Sequence, residues 1–77
     1  MAIYACILAE VEAADTLKAA QYLEALHSVG LVVPTAGPYD LMFLVKTDTP
    51  RSLGELVINE YQKVPGIKST LTLLVLE

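Results

Sequence analysis

Five consecutive apolar residues, Leu41-Met42-Phe43-Leu44-Val45, stand between a Gly-Pro-Tyr-Asp turn and Lys46-Thr47. Successive side chains of a strand point to opposite faces, so this run makes a strand that is apolar on both sides. Such a strand has to be covered twice, and a chain of 77 residues has little material for two coverings. Neither it nor Leu73 to Leu76 comes near the 18 or more residues that would span a bilayer. Whatever this chain folds into therefore has to place a two-sided apolar strand in water.

The segments around that strand supply the frame. Ile3 to Val11 is rich in β-branched and aliphatic residues and reads as a first strand. From Asp15, a candidate N-cap, the period changes: Thr16, Ala19, Ala20, Leu23 and Leu26 share one face of a helix that Gly30 is expected to stop. Leu31 to Ala36 reads as a second strand, and Pro34, which has no N–H for an interior ladder, assigns it to an edge. Leu41 to Thr47 is the third strand. Thr49-Pro50 opens a second helix, with Leu53, Val57, Tyr61 and Val64 on its buried face. Gly54 is expected to let that helix approach the sheet closely, Pro65-Gly66 to end it, and Ser69 to Leu76 to form the last strand. The order β-α-β-β-α-β predicts an α+β, ferredoxin-like domain over residues 1–77: a four-stranded antiparallel sheet with two helices on one face and the second and fourth strands at its edges.

In that fold one sheet face is open, yet the alternate positions of the strands are apolar too. Tyr4, Cys6 and Leu8 lie opposite Ile3, Ala5, Ile7 and Ala9; Met42 and Leu44 lie opposite Leu41, Phe43 and Val45. In the last strand Leu71, Leu73 and Val75 form one set, and Leu74, Leu76, Thr70 and Thr72 the other. An apolar open face of this size exceeds what a soluble monomer usually exposes. The expectation is a face-to-face dimer of sheets, with Leu17, Leu56 and Ile58 on the helix flanks available for contacts between dimers. Hydrophobic residues make up 55% of the chain, more than one small core needs.

The charge balance excludes other classes. Nine acidic against five basic residues leave no electrostatic footprint for direct binding of nucleic acid. A single Cys can form neither an internal disulfide nor a Cys-rich zinc site, which fits a reducing cytoplasm, and Met1 opens onto a strand with no targeting peptide ahead of it. No His, Cys and carboxylate set has metal-ligand spacing, and no Gly-rich loop is followed by Lys. No cofactor is expected. His27 at the end of the first helix reads as a packing or capping residue and Cys6 as a packing residue; Glu10 and Glu12 read as solvated charges.

Two loops carry more. Gly37-Pro38-Tyr39-Asp40 sets a phenol and a carboxylate at the start of the third strand, and Pro65-Gly66-Ile67-Lys68-Ser69-Thr70 sets hydroxyls and backbone amides before the fourth. Each can be a turn device, Asp40 as an Asx-turn residue and Ser69 or Thr70 as turn hydroxyls, or part of a ligand site. Gly37-Pro38-Tyr39-Asp40-Leu41 resembles the G-x-Y-D-hydrophobic signature, and Pro65-Gly66-Ile67-Lys68-Ser69-Thr70-Leu71-Thr72 the PGV-x-ST-x-T signature, of the Lrp/AsnC family effector-binding domain, the RAM domain. The two motifs stand in the family's order, and the resemblance covers essentially the whole chain.

The resemblance implies a dimeric α/β-barrel-type assembly, often built up to rings of eight or ten subunits, that binds amino-acid effectors in clefts between subunits. Carried over by position, it puts Gly37, Tyr39 and Asp40 on one wall of the effector site and Gly66, Ser69, Thr70 and Thr72 on the other. Asp40 would meet the ammonium of an amino acid; backbone N–H groups and hydroxyls would meet its carboxylate. Full-length members carry a helix-turn-helix domain ahead of this one, and this sequence begins at the first strand. The expectation is a stand-alone, non-enzymatic sensor in transcription regulation or metabolism that acts alone or with a full-length Lrp/AsnC-type regulator. Two alternatives stand beside it: a small dimeric α/β-barrel monooxygenase or isomerase, for which His27, Asn59 and Arg51 are the only candidate groups, and a ligand-free oligomerisation module.

Overall fold

β-Branched and aliphatic residues dominate Ile3–Val11 and Leu41–Thr47, and in the computed structural model, which describes residues 2–76, these become the two central strands, β1 and β3. Strand β2 (Val29–Pro34) and strand β4 (Ile67–Leu74) lie at the edges, in the order β2-β3-β1-β4, with every pairing antiparallel. Helix α1 (Thr16–Glu24) follows β1 through a single 3-10 turn, and helix α2 (Pro50–Asn59) follows β3. The fold is ferredoxin-like. Residues 1 and 77 of the expected domain lie outside the described residues.

Both helices pack on one face. Ala5, Ile7, Ala9 and Val11 of β1 and Leu41, Phe43 and Val45 of β3 are buried against Ala19 and Leu23 of α1 and Leu53 of α2. Tyr61 and Val64, just beyond α2, complete this core. The Tyr61 ring meets Phe43 edge-on, with centroids 5.2 Å apart and planes at 78°, while its hydroxyl lies 2.5 Å from that of Ser28. One side chain thus ties the end of α2 to the turn after α1. Helix α2 starts where expected: Thr49 Oγ1 accepts the Ser52 N–H at 3.0 Å, Ser52 Oγ accepts the Thr49 N–H at 3.1 Å, and Pro50 occupies the first helical position.

Several boundaries differ from the sequence reading. Helix α1 ends at Glu24, and Gly30 does not cap it. Gly30 is the extra residue of a bulge in β2, since Val29 pairs with Val45 and Leu31 with Leu44. Pairing with β3 also recruits Val29, so β2 begins and ends two residues before the expected limits; Thr35 and Ala36 fall outside it. His27 is exposed in the turn and not at a helix end. Strand β4 likewise starts two residues early and stops at Leu74. Helix α2 stops at Asn59, and Tyr61–Lys63 form a separate 3-10 turn before Pro65-Gly66. Gly54 is not a close-approach residue, because a Cβ there would meet no atom within 4 Å. Leu56 packs against the core, whereas Leu17 and Ile58 remain exposed.

Candidate functional site

The strand registers decide which of the expected site residues share a surface. Asp40 follows the Gly37-Pro38-Tyr39 bend, in which Gly37 takes a φ of +121° that a side chain rarely adopts. Its backbone is tied on both sides, with its N–H donating to the Ala9 carbonyl at 2.9 Å and its carbonyl accepting the Thr35 N–H at 2.9 Å. Its carboxylate Oδ2 accepts the Val11 N–H at 2.8 Å. Val11 adjoins a bulge: Glu10 pairs with Ser69 and Val11 with Ile67, leaving Lys68 as the extra residue, so the regular β1–β4 ladder is interrupted there. Asp40 therefore braces the irregular end of the sheet with one carboxylate oxygen. The Tyr39 carbonyl accepts the Thr35 hydroxyl at 2.8 Å, which closes the loop on itself.

The second loop reaches the same end of the sheet. Gly66 takes a φ of +93°, and a Cβ there would fall 2.5 Å from that of Asp15; its carbonyl accepts the Glu12 N–H at 2.8 Å. Only glycine fits this approach. Strand alternation then separates the hydroxyls. Ser69 pairs with Glu10, lies on the open face and donates its hydroxyl to Glu10 Oε1. Thr70 and Thr72 pair with Ala9 and Ile7 and lie on the helix side. Gln62 Nε2 approaches Thr70 Oγ1 at 3.5 Å, and Thr72 lines a groove between α2 and β4.

Gly37, Tyr39, Asp40, Gly66 and Ser69 thus gather around the end of β1, while Thr70 and Thr72 of the same chain face the other way. No single-chain cleft holds all seven. Glu10, which reads as a solvated charge in the sequence, is a second carboxylate at this end: it follows Ala9, the last β1 residue paired with β3, and is half-buried. Its two-residue spacing from Glu12 gave no sign of this, because the partner that matters is on another strand.

The remainder of the open face is apolar. Strand register sets Leu31 and Val33 of β2, Met42 and Leu44 of β3, Cys6 and Leu8 of β1 and Leu71 and Leu73 of β4 side by side. At the far end Lys46 Nζ lies 5.9 Å from the centre of the Tyr4 ring, beside a shallow hollow of about 270 Å³ lined also by Gly30, Leu31 and Leu44. A larger groove of about 420 Å³ runs between α2 and β4 over Pro50, Leu53, Gly54, Val57, Ile58 and Leu74. Among the described residues, no three His, Cys, Asp or Glu side chains gather as metal ligands. No helix among them is long and apolar enough to cross a membrane.

No protein-family model and no curated protein sequence matches the chain. Solved structures do. The chain is similar to FFRP-DM1 at a TM-score of 0.91 and 28% identity, over 96% of this chain and 99% of that one. It is similar to AsnC of Escherichia coli at a TM-score of 0.91 and 30% identity, over 97% of this chain and 51% of AsnC, so it spans about half of that protein. The transcriptional regulator NMB0573 of Neisseria meningitidis, solved as a complex with L-Met, shares the fold at a TM-score of 0.88 and 16% identity, over 97% of this chain and 50% of its own. The chain is a structural relative of the Lrp/AsnC-type regulators, and the resemblance carried by two loop motifs extends over its whole described length.

Proposed function

We propose that this chain is an effector-binding and oligomerisation module of the Lrp/AsnC type, whose ligand is an amino acid held where subunits meet. The observation that carries this reading is the convergence of both motif loops on one end of the sheet, beside an apolar face that one chain leaves bare. A ligand-free module would have no need for a carboxylate with a spare oxygen at that place. Asp40 supplies an acceptor for the ammonium, and Ser69 with the amides around Gly66 supplies donors for the carboxylate. Thr70 and Thr72 face away from these groups, so they enter a shared site only from a neighbouring subunit. The solved L-Met complex of a protein with this fold points to the same ligand class. Regulation of transcription then requires a DNA-contacting partner, since the chain has a formal net charge of −4.

An amino acid of about nine non-hydrogen atoms, at roughly 0.5 kcal/mol per atom, gains about 4.5 kcal/mol, a Kd on the order of 0.5 mM. That is a sensing range. The test is a thermal-shift panel of the amino acids followed by calorimetry on the one that raises Tm. Asp40→Asn is the informative variant, because an amide oxygen still accepts the Val11 N–H while the charge is lost. The expected result is binding weakened at least tenfold with Tm of the free protein nearly unchanged. A flat panel would transfer the case to the ligand-free module or to an enzyme with another substrate.

A further inference from the structure

The two edges of the sheet are not alike. Edge strands of proteins that stay monomeric are blunted by proline, charge or bulges. The β2 edge is blunted in this way. Lys46 donates its N–H to the Ser28 carbonyl, so by alternation Leu44 and Met42 bond their partners Leu31 and Val33, and Val32 and Pro34 turn their backbone outward. Pro34 has no N–H to offer, and the bulge at Gly30 interrupts the strand at its other end.

The β4 edge carries no such device beyond Lys68. Val75 donates its N–H to the Tyr4 carbonyl at 2.9 Å, so by the same alternation Leu73 and Leu71 bond Cys6 and Leu8, and Thr70, Thr72 and Leu74 turn their backbone outward. The bulge lies before this stretch, which holds neither proline nor charge. Three N–H and three C=O groups thus stand in a regular row on the side where β4 has no neighbour. The row is apolar on both faces: Leu71 and Leu73 are exposed on the open face, and Leu74 is exposed on the helix side, beside the groove where Ile58 of α2 is exposed too. A strand that completes this edge has to be apolar on both of its own faces.

We propose that the outer edge of β4 pairs with the same edge of a second copy of this chain, antiparallel across a two-fold axis at Thr72, so that two sheets join into one. The free groups set the axis. With Thr72 opposite its own copy, Thr70 of each chain faces Leu74 of the other, and three mutually bonded pairs use every outward group of the row. Leu71 then stands beside Leu73 of the other chain on the open face, so apolar meets apolar there as well. Lys68 lies at the start of β4 and Glu77 follows its end in sequence, so antiparallel pairing turns the basic end of each strand toward the acidic end of the other. β4 is therefore its own complement in hydrogen bonds, apolar surface and charge, as a two-fold interface demands. Among the described residues no other strand could take its place, because β1 and β3 are paired on both sides and β2 is blocked by Pro34.

Size defines the kind of contact. A strip about 17 Å long and about 10 Å deep on each chain buries on the order of 500 Å² with its side chains, less than the roughly 1,200 Å² of a standard interface. The ladder bonds carry the joint, and it fills as protein concentration rises. It goes beyond the functional reading above, since it uses neither the two motif loops nor the centre of the open face.

Amide hydrogen exchange, followed by NMR on the whole chain, reads the joint directly. Exchange at Thr70, Thr72 and Leu74 is expected to slow as the protein goes from micromolar to millimolar concentration, while Leu71 and Leu73, bonded to β1 throughout, are protected at both. Thr72→Pro is expected to weaken association at least tenfold by sedimentation and to leave the chain folded, because the N–H it deletes faces away from β1. Leu71→Pro deletes a bonded N–H and is expected to unfold it. Thr72→Lys keeps every N–H and sets two ammonium groups at the axis, with the same tenfold loss expected. In a Cys6→Ala background, Thr72→Cys is expected to form a disulfide with its own copy, since bonded antiparallel partners have Cα atoms about 5.5 Å apart, and Leu71→Cys is not. An associated protein whose Thr70, Thr72 and Leu74 amides exchange as fast as in the monomer overturns the joint and leaves the ligand reading standing. Protection of those amides with a flat amino-acid panel does the reverse. A protein that stays monomeric at millimolar concentration overturns the joint and the shared ligand site together.

Discussion

The two faces of the sheet are built from the same strands and nearly the same residue types, yet they live in different surroundings. Phe43 is fully buried, whereas its neighbour Leu44 is 39% exposed; Ile7 is fully buried, whereas Leu71 and Leu73 across the open face are 43% and 46% exposed. In an isolated antiparallel sheet, polarity should alternate with burial. Here burial alternates and polarity does not. The helices of its own chain cover the one face, while no element among the described residues covers the other.

Substituting neighbours on β3 breaks this comparison most forcefully. Phe43→Ala removes a fully buried ring that packs on Tyr61, and an aromatic truncated in a core costs about 3–5 kcal/mol. In a domain of this size that is most of the stability, so urea unfolding should show a folded population much reduced or absent. Leu44→Asp, one residue on, should leave the monomer folded by circular dichroism and dissociate the proposed face-to-face dimer of sheets. A lone carboxylate buried against an apolar partner costs at least about 2 kcal/mol, roughly a thirtyfold rise in Kd by sedimentation. If Leu44→Asp unfolds the chain as Phe43→Ala does, the open face belongs to the monomer's own core and the comparison fails.

The order of the elements and the limits of β1 and β3 were legible in the sequence because local signals and fold agree there: unbroken apolar runs bounded by turn residues, and Thr49-Pro50 at a helix start. Gly30 misled. It stands where a helix cap would, but β2 begins at Val29 because β3 offers a partner, and Gly30 is absorbed as a bulge. Pairing across 16 residues is invisible to a reading that runs along the chain. The candidate site shows the same limit. The sequence placed Asp40 and Ser69 at the mouths of two loops, and the structure brings both to the end of β1. It could not show that Asp40 gives one oxygen to Val11, that Ser69 donates to Glu10, or that Ser69 and Thr70, adjacent in sequence, face opposite sides.

A smaller effect sharpens the account of the covered face, whose polar anchor is the Tyr61–Ser28 pair. Burial raises the Tyr61 pKa above 10.0, with the Ser28 hydrogen bond opposing and Glu60 adding to the rise. Above pH 10 the unfolded chain therefore releases the phenolic proton while the native one holds it. The native state binds more protons, so stability falls as pH rises, with a slope approaching about 1.4 kcal/mol per pH unit until the native pKa is passed. Tyr61→Phe should cost about 1 kcal/mol at neutral pH and flatten this alkaline limb, as read from urea midpoints between pH 8 and 11. An unchanged limb would remove Tyr61 as its source.

The smallest effect concerns a place where the covered face is incompletely covered. Gly54 sits within α2 at the groove over β4, and the space around its Cβ position is empty. Alanine in a helix interior gains about 0.5–1 kcal/mol over glycine, so Gly54→Ala should raise Tm by roughly 3–6 °C. The measurement is best made twice, in the native background and in the monomeric Leu44→Asp background. A gain in both means that the groove stays open in the assembly. A gain confined to the monomer means that assembly fills the space the methyl would take, and the helix side of β4 then joins the open face as contact surface. No gain in either would contradict the empty surroundings of Gly54, because nothing in the monomer then remains to offset the propensity of alanine.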